Sequence, residues 1–119
     1  MNHDAQFAAA LMNAPSLAGI PIRPDVANPD ELAPYIVYLE VAIQEGTYTL
    51  TGESSLVPVR YQVDVYAATR LQANAISSAV IEALLDAFGA VLLNRQSLYE
   101  SDTRLRHTML DMSVWFENG

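Results

Sequence analysis

Arg60-Tyr61-Gln62-Val63-Asp64-Val65-Tyr66-Ala67-Ala68-Thr69-Arg70-Leu71-Gln72 is the stretch on which the fold turns. Its first half has period two. Val57, Val59, Tyr61, Val63 and Val65 fall on one side, and Pro58, Arg60, Gln62, Asp64 and Tyr66 on the other. Successive side chains of a strand point to opposite faces, so this pattern describes a strand with one buried face. At Thr69 the period changes. Thr69-Arg70-Leu71-Gln72 matches a capping box, in which hydroxyl and amide satisfy backbone donors at a helix start. Beyond it Ile76, Val80, Ala83, Leu84 and Ala87 make an apolar stripe at helical spacing, and Arg70, Asn74, Ser78, Glu82 and Asp86 a polar one. Gly89 supplies the stop. A strand feeding an amphipathic helix implies a sheet with helices laid against it.

Outward from this stretch the same signals repeat. Upstream, Tyr35, Val37, Leu39, Val41 and Ile43 form one face of a strand, expected to meet the helices. Ile36, Tyr38, Glu40, Ala42 and Gln44 form the other. Gly46 to Ser55 is polar, holds two glycines and reads as a long hairpin connection. Downstream, Ala90 to Tyr99 and Leu105 to Phe116 close the sheet around the turn Glu100-Ser101-Asp102-Thr103. In the last strand Leu110, Met112, Val114 and Phe116 face one side; His107, Met109, Asp111, Ser113 and Trp115 face the other.

At the N-terminus, Asp4 to Ala14 reads as a helix capped by Asp4, with Phe7, Ala10, Leu11 and Ala14 at helical spacing. Pro15 ends it, Ser16 to Gly19 makes one further turn, and the chain extends near Ile20. Pro21 to Pro34, with four prolines, is expected to cross the surface without regular structure. The fold class is therefore α+β. One domain, residues 1–119, carries a mostly antiparallel four- to five-stranded sheet with two helices on one face, in the order α-β-β-β-α-β-β. The second sheet face mixes large apolar residues with charges, and an apolar patch of that kind implies a partner.

Composition narrows the function. Of 119 residues 51% are hydrophobic and 17% charged, which suits a globular chain with a real core. No run approaches the ~20 apolar residues of a membrane span, and Met1 to Asp4 lacks a basic region, so neither a membrane segment nor a usual secretory signal is expected. With no cysteine, disulfides, thiolate metal sites and cysteine nucleophiles are excluded. The net charge is −8, and all six basic residues are arginine. DNA affinity comes from basic side chains that displace counterions, so tight DNA binding is excluded. Such a surface lets a duplex pass without holding it, and it also serves solubility.

Catalytic signals are missing. His3 is expected to fray, and His107 stands four residues before Asp111, about 13 Å along a strand and too far to share a metal. Gly52-Glu53-Ser54-Ser55-Leu56 lacks the second glycine and following helix of a nucleophile elbow. No glycine-rich phosphate loop ends in lysine. Glu40 and Asp64 are candidates for an acid–base pair across neighbouring strands, although strand carboxylates on a wet face are usually surface charges. Tyr35, Tyr61, Trp115 and Phe116 read as pocket lining or, more simply, as core and interface. No catalytic, cofactor-binding or metal residue is assigned. Arg60, Arg104 and Arg106 are expected to pair with carboxylates of a neighbouring subunit, where the guanidinium fork gives orientation.

Three segments in order carry a family likeness: Pro34-Tyr35-Ile36-Val37-Tyr38, then Arg60 to Ala67 leading into the capped helix, then Leu98-Tyr99-Glu100 followed by Leu110-Asp111-Met112-Ser113-Val114-Trp115. Over nearly its whole length the chain resembles the tail-terminator, or tail-completion, family of long-tailed phages and prophages. It departs from the family in the long Pro21 to Pro34 loop and at Asn74 and Ile76. The resemblance implies a structural virion protein without catalysis or cofactor. Such proteins form a ring, usually of six subunits, at the head-proximal end of the tail tube. There they stop tube polymerisation and face head-completion or connector proteins, while DNA passes through the lumen. The implied location is the virion tail or neck, after assembly in the host cytoplasm. In that setting the Gly46 to Leu56 connection, with Tyr48 and Leu50 projecting and Gly52, Glu53 and Leu56 beside them, is expected to dock on the tube or the adjacent subunit. Two alternatives remain: a head-closure or adaptor neck protein, and a small α/β ligand-binding or enzymatic dimer using a cleft beside Trp115.

Overall fold

The computed structural model describes residues 3–43 and 56–117. Helix α1 (His3–Met12) leads through a 3-10 turn (Pro15–Leu17) into β1 (Ile22–Pro24) and β2 (Tyr35–Ile43). β3 (Leu56–Ala67), α2 (Arg70–Phe88), β4 (Val91–Glu100) and β5 (Leu105–Glu117) follow, which is the expected order. The five strands form one sheet in the order β1-β2-β3-β5-β4. Its pairings are antiparallel except that β1 runs parallel to β2, so the sheet is mixed. That parallel pair falls inside the loop expected to lack regular structure, and it starts at Ile22 rather than Ile20. Ile22 is buried, and Pro24 is tolerated because β1 is an edge strand.

Register corrects the facing of β2. Tyr35 pairs with Tyr66, Ile36 with Val65 and Tyr38 with Val63. Ile36 and Tyr38 therefore share the helix side with Val63 and Val65, while Tyr35, Val37 and Leu39 take the open side. β2 is apolar on both faces, so alternation alone cannot choose between them, and pairing with β3 decides. The ladder slips between Glu40 and Ala42, leaving Val41 half exposed in a bulge.

The core lies between the sheet and both helices. Phe7 of α1 stacks on Tyr61 of β3, with ring centroids 3.9 Å apart, and Tyr38 tilts against Phe7 at 5.3 Å. Ile76, Val80 and Leu84 of α2 pack on the same layer as Val59, Val63, Leu110 and Met112. Thr69 caps α2 by accepting from the Gln72 N–H at 3.1 Å, while the Gln72 side chain accepts from Ala68 N–H, one residue earlier than a regular capping box. Gly89, at φ 64° in the left-handed region, ends α2 and turns the chain into β4. Ala87, expected in the buried stripe, is exposed; Ala73 and Ser77 are buried instead.

His3 does not fray. It opens α1, with Nε2 2.5 Å from Glu40 Oε1 and its ring 5.3 Å from that of Phe116. Asp4 lies in the first turn rather than at the cap, and its carboxylate accepts from the Tyr61 hydroxyl. Together these contacts clasp α1 to the sheet.

Candidate interaction surface

β4 is an outermost strand, flanked by β5 on one side only. Every residue from Val91 to Tyr99 is exposed, including Val91, Leu92, Leu93, Leu98 and Tyr99. Gly89 sends the strand back outside the cover of α2, so both faces and the outer edge meet solvent. An edge strand has a row of unpaired backbone donors and acceptors, and natural sheets commonly blunt it with lysine, proline or short length. β4 has ten residues and neither lysine nor proline. It is suited to being covered.

Four of the six arginines gather near its far end. Arg106 lies over the Tyr99 ring, its guanidinium carbon 4.7 Å from the centroid. Arg95 donates to Asn74 Oδ1 at 3.5 Å, Arg104 stands exposed in the β4–β5 turn at φ 58°, and Arg70 opens α2. Among the described residues none of these four is in an ion pair. Two of them, Arg70 and Arg106, line a groove of about 400 Å³ between the start of α2 and the end of β4, together with Asn74, Ser97, Tyr99 and others. A second groove of about 360 Å³, half of whose lining residues are alanines and which includes Glu82 and Asp86, lies between α1 and α2.

The open sheet face holds a polar cluster that sequence reasoning missed. Asp64, almost fully buried, accepts from Gln62 Nε2 at 3.0 and 3.2 Å and lies 2.8 Å from His107 Nε2. The other ring nitrogen of His107 lies 3.6 Å from Glu100. Tyr66 stacks on His107 with centroids 4.3 Å apart, and Tyr35 packs on Tyr66 at 4.7 Å. Burial, reinforced by the Asp64 charge, pushes the Tyr66 phenol up to about 12; burial also raises that of Tyr35. With the Asp64 acceptors occupied and the imidazole stacked on Tyr66, this cluster ties β2, β3 and β5 together. Cross-strand register creates it, and alternation could show only that Asp64 and His107 each lay on a second face.

The sequence-derived site residues separate. Tyr48, Leu50, Gly52 and Glu53 lie outside the described residues. Leu56 begins β3 opposite Glu117. Arg60 forms an ion pair with Asp111 of its own chain on the open face, so its charge is already engaged. Arg104 and Arg106 alone come together, at the β4 end. Glu40 and Asp64 sit on opposite faces, one beside His3 and the other beside His107, and cannot act as a pair. His3, Asp4 and Glu40 do bring ligand atoms within 4.8 Å of one another. A cation fits that span, but the same atoms already hold α1 to the sheet. Among the described residues no helix is long and apolar enough to cross a membrane.

The family model for Tail completion protein gp17 matches residues 5–117. Among solved structures, the chain is similar to a chain of the virion of a native gene transfer agent (GTA) particle. The TM-score is 0.55 at 18% identity, over 97% of this chain and 87% of that one. At this identity the likeness speaks for the fold. No curated protein sequence matches. With the family model spanning α1 to β5, the chain belongs to the tail completion protein family.

Proposed function

We propose that copies of this chain form a closed ring, six in number, on the head-proximal end of a phage tail tube. There the ring stops tube growth and offers its free side to head-completion proteins. Family membership makes the chain a structural component of a phage-type tail rather than an enzyme, and it removes the catalytic alternative around Trp115. The ring, the tube and the head proteins are the further step. The observation that carries it is the bare apolar strand β4 beside an arginine-rich groove, on a chain of net charge −8. A surface that a monomer leaves wet is buried when copies meet head to tail, and such contacts close into rings when the rotation permits. The acidic balance repels a passing duplex, which suits a lumen that conducts DNA.

Polymerising the tube protein with and without this chain tests the reading. Tubes capped at one end and shorter on average are expected; an unchanged length distribution contradicts it, and capture of portal-side proteins without tube protein reassigns the chain to head closure. We assign the Gly46 to Leu56 connection to the tube or adjacent subunit through Tyr48 and Leu50. Replacing both with serine should abolish capping, and unimpaired capping removes that assignment.

A further inference from the structure

We infer that each subunit receives in its arginine-lined groove the loop 25–33 of the next copy, so that opposite edges of one sheet meet around the ring. This rests on the ring reading above and names the contact that builds it. Four observations converge on it.

The first is position. β1 and β4 are the two edges of the sheet. The ladder runs across without a break: Ile22 beside Ile36, Val65, Thr108 and Ser97, and Pro24 beside Tyr38, Val63, Leu110 and Arg95. Loop 25–33 leaves β1 at the Tyr38 level and returns to β2 at Tyr35. Of the groove residues, Ser97 lies on the Ile36 row and Leu98 on the Tyr35 row, about 19 Å away across four strand spacings, with Tyr99 one row beyond. Loop and groove are thus at one height on opposite sides of the subunit, the placement a head-to-tail ring requires.

The second is shape with apolarity. Val26 and Leu32 are 73% and 82% exposed, among the most exposed large hydrophobic residues described. They project from a loop held by Asp25 N–H to Tyr38 O at 2.8 Å, Glu31 N–H to Asn28 O at 3.0 Å and the Arg23–Glu31 ion pair at 2.8 Å. The groove offers Tyr99, 53% exposed, as its apolar wall, while Leu98, paired with His107, turns to the other face.

The third is charge. Asp25 and Asp30 are exposed, and no ion pair among the described residues engages them. Arg70 and Arg106 line the groove, Arg95 is bonded to its Asn74 and Arg104 stands in the adjoining turn; these outweigh Asp102 and Glu100 of the same end, and Glu100 is turned to His107. Acidic loop and basic groove complement each other across the contact and fix its direction. The fourth is orientation: Arg106 is held over Tyr99, so its donors are set before a carboxylate arrives.

Asp30→Arg and Arg106→Glu test the contact, since both residues are solvent-accessible and the folded monomer is checked by circular dichroism. Each variant alone should lose ring formation and tube capping. Mixed in equal amounts they should recover both. The loop made basic in one variant then meets the groove made acidic in the other, and a native loop meets a native groove at the next contact, in alternation. Failure of the mixture to recover, or rings from either variant alone, overturns the contact. Because the chain has no cysteine, a Leu32→Cys, Ser97→Cys chain assembled on tubes provides an independent measurement, Ser97 lying exposed in the groove. Mild oxidation should give a ladder of disulfide-linked multimers ending at the full ring, and monomers only would overturn the contact. If the native chain caps tubes while these tests fail, the contact alone is wrong; if the native chain neither self-associates nor caps, the ring reading falls with it.

Discussion

β3 and β4 belong to the same sheet, are of similar length and are both rich in apolar residues, yet they meet opposite environments. In β3 the apolar side chains alternate from Val57 to Val65, and Val59, Tyr61, Val63 and Val65 vanish under α1 and α2. In β4 they cluster at the two ends, Val91-Leu92-Leu93 and Leu98-Tyr99, without regard to face, and all remain exposed. Apolar residues placed by the strand period build the subunit. Those placed against it, on an uncovered edge, are available to build the assembly.

Mutations break or sharpen that contrast in order of size. Tyr61→Ala removes the ring stacked on Phe7 and the hydroxyl bonded to Asp4, and it should cost about 3–5 kcal/mol in urea unfolding. A loss below about 1 kcal/mol would mean that β3 is not the core strand described. Asp64→Ala strands the half-buried amide of Gln62 and the imidazole of His107, and should cost about 1–3 kcal/mol by the same measurement. The neighbouring phenol adds a pH dependence. Tyr66 is raised from 10.0 to about 12, so the stability it contributes is complete below pH 10 and is lost as pH rises toward 12. Melting temperature should therefore fall over that window, and Tyr66→Phe should flatten its part of the slope. At the small end, Leu98→Ser in β4 should leave monomer stability within about 0.5 kcal/mol while abolishing self-association by sedimentation. If Leu98→Ser instead destabilises the monomer as a core mutation does, the contrast between the strands collapses.

Much of the fold is legible in the sequence because local rules act alone there. Thr69 and Gly89 bound α2 whatever surrounds them, and the period-two run around Tyr61 admits one buried face. What stayed hidden depends on register or place in the sheet. β2 is apolar on both faces, so only its pairing with Val63 and Val65 shows that Ile36 and Tyr38 point inward. Asp64 meets His107, and Arg60 meets Asp111, across strands far apart in sequence. β1 is a three-residue parallel edge among prolines, too short to carry a period. The candidate surface was half visible. Arg104 and Arg106 can be read as a basic pair beside a turn, but the groove exists only because β4 lies at an edge beyond the cover of α2, and no local pattern encodes that.

The most direct test is averaged electron microscopy of tails at their head-proximal ends, with this chain identified by a C-terminal tag. Closed ring density is expected, six copies around the lumen, with β4 of each against loop 25–33 of the next. A single copy per tail, or several copies whose β4 edges face solvent, would contradict the account.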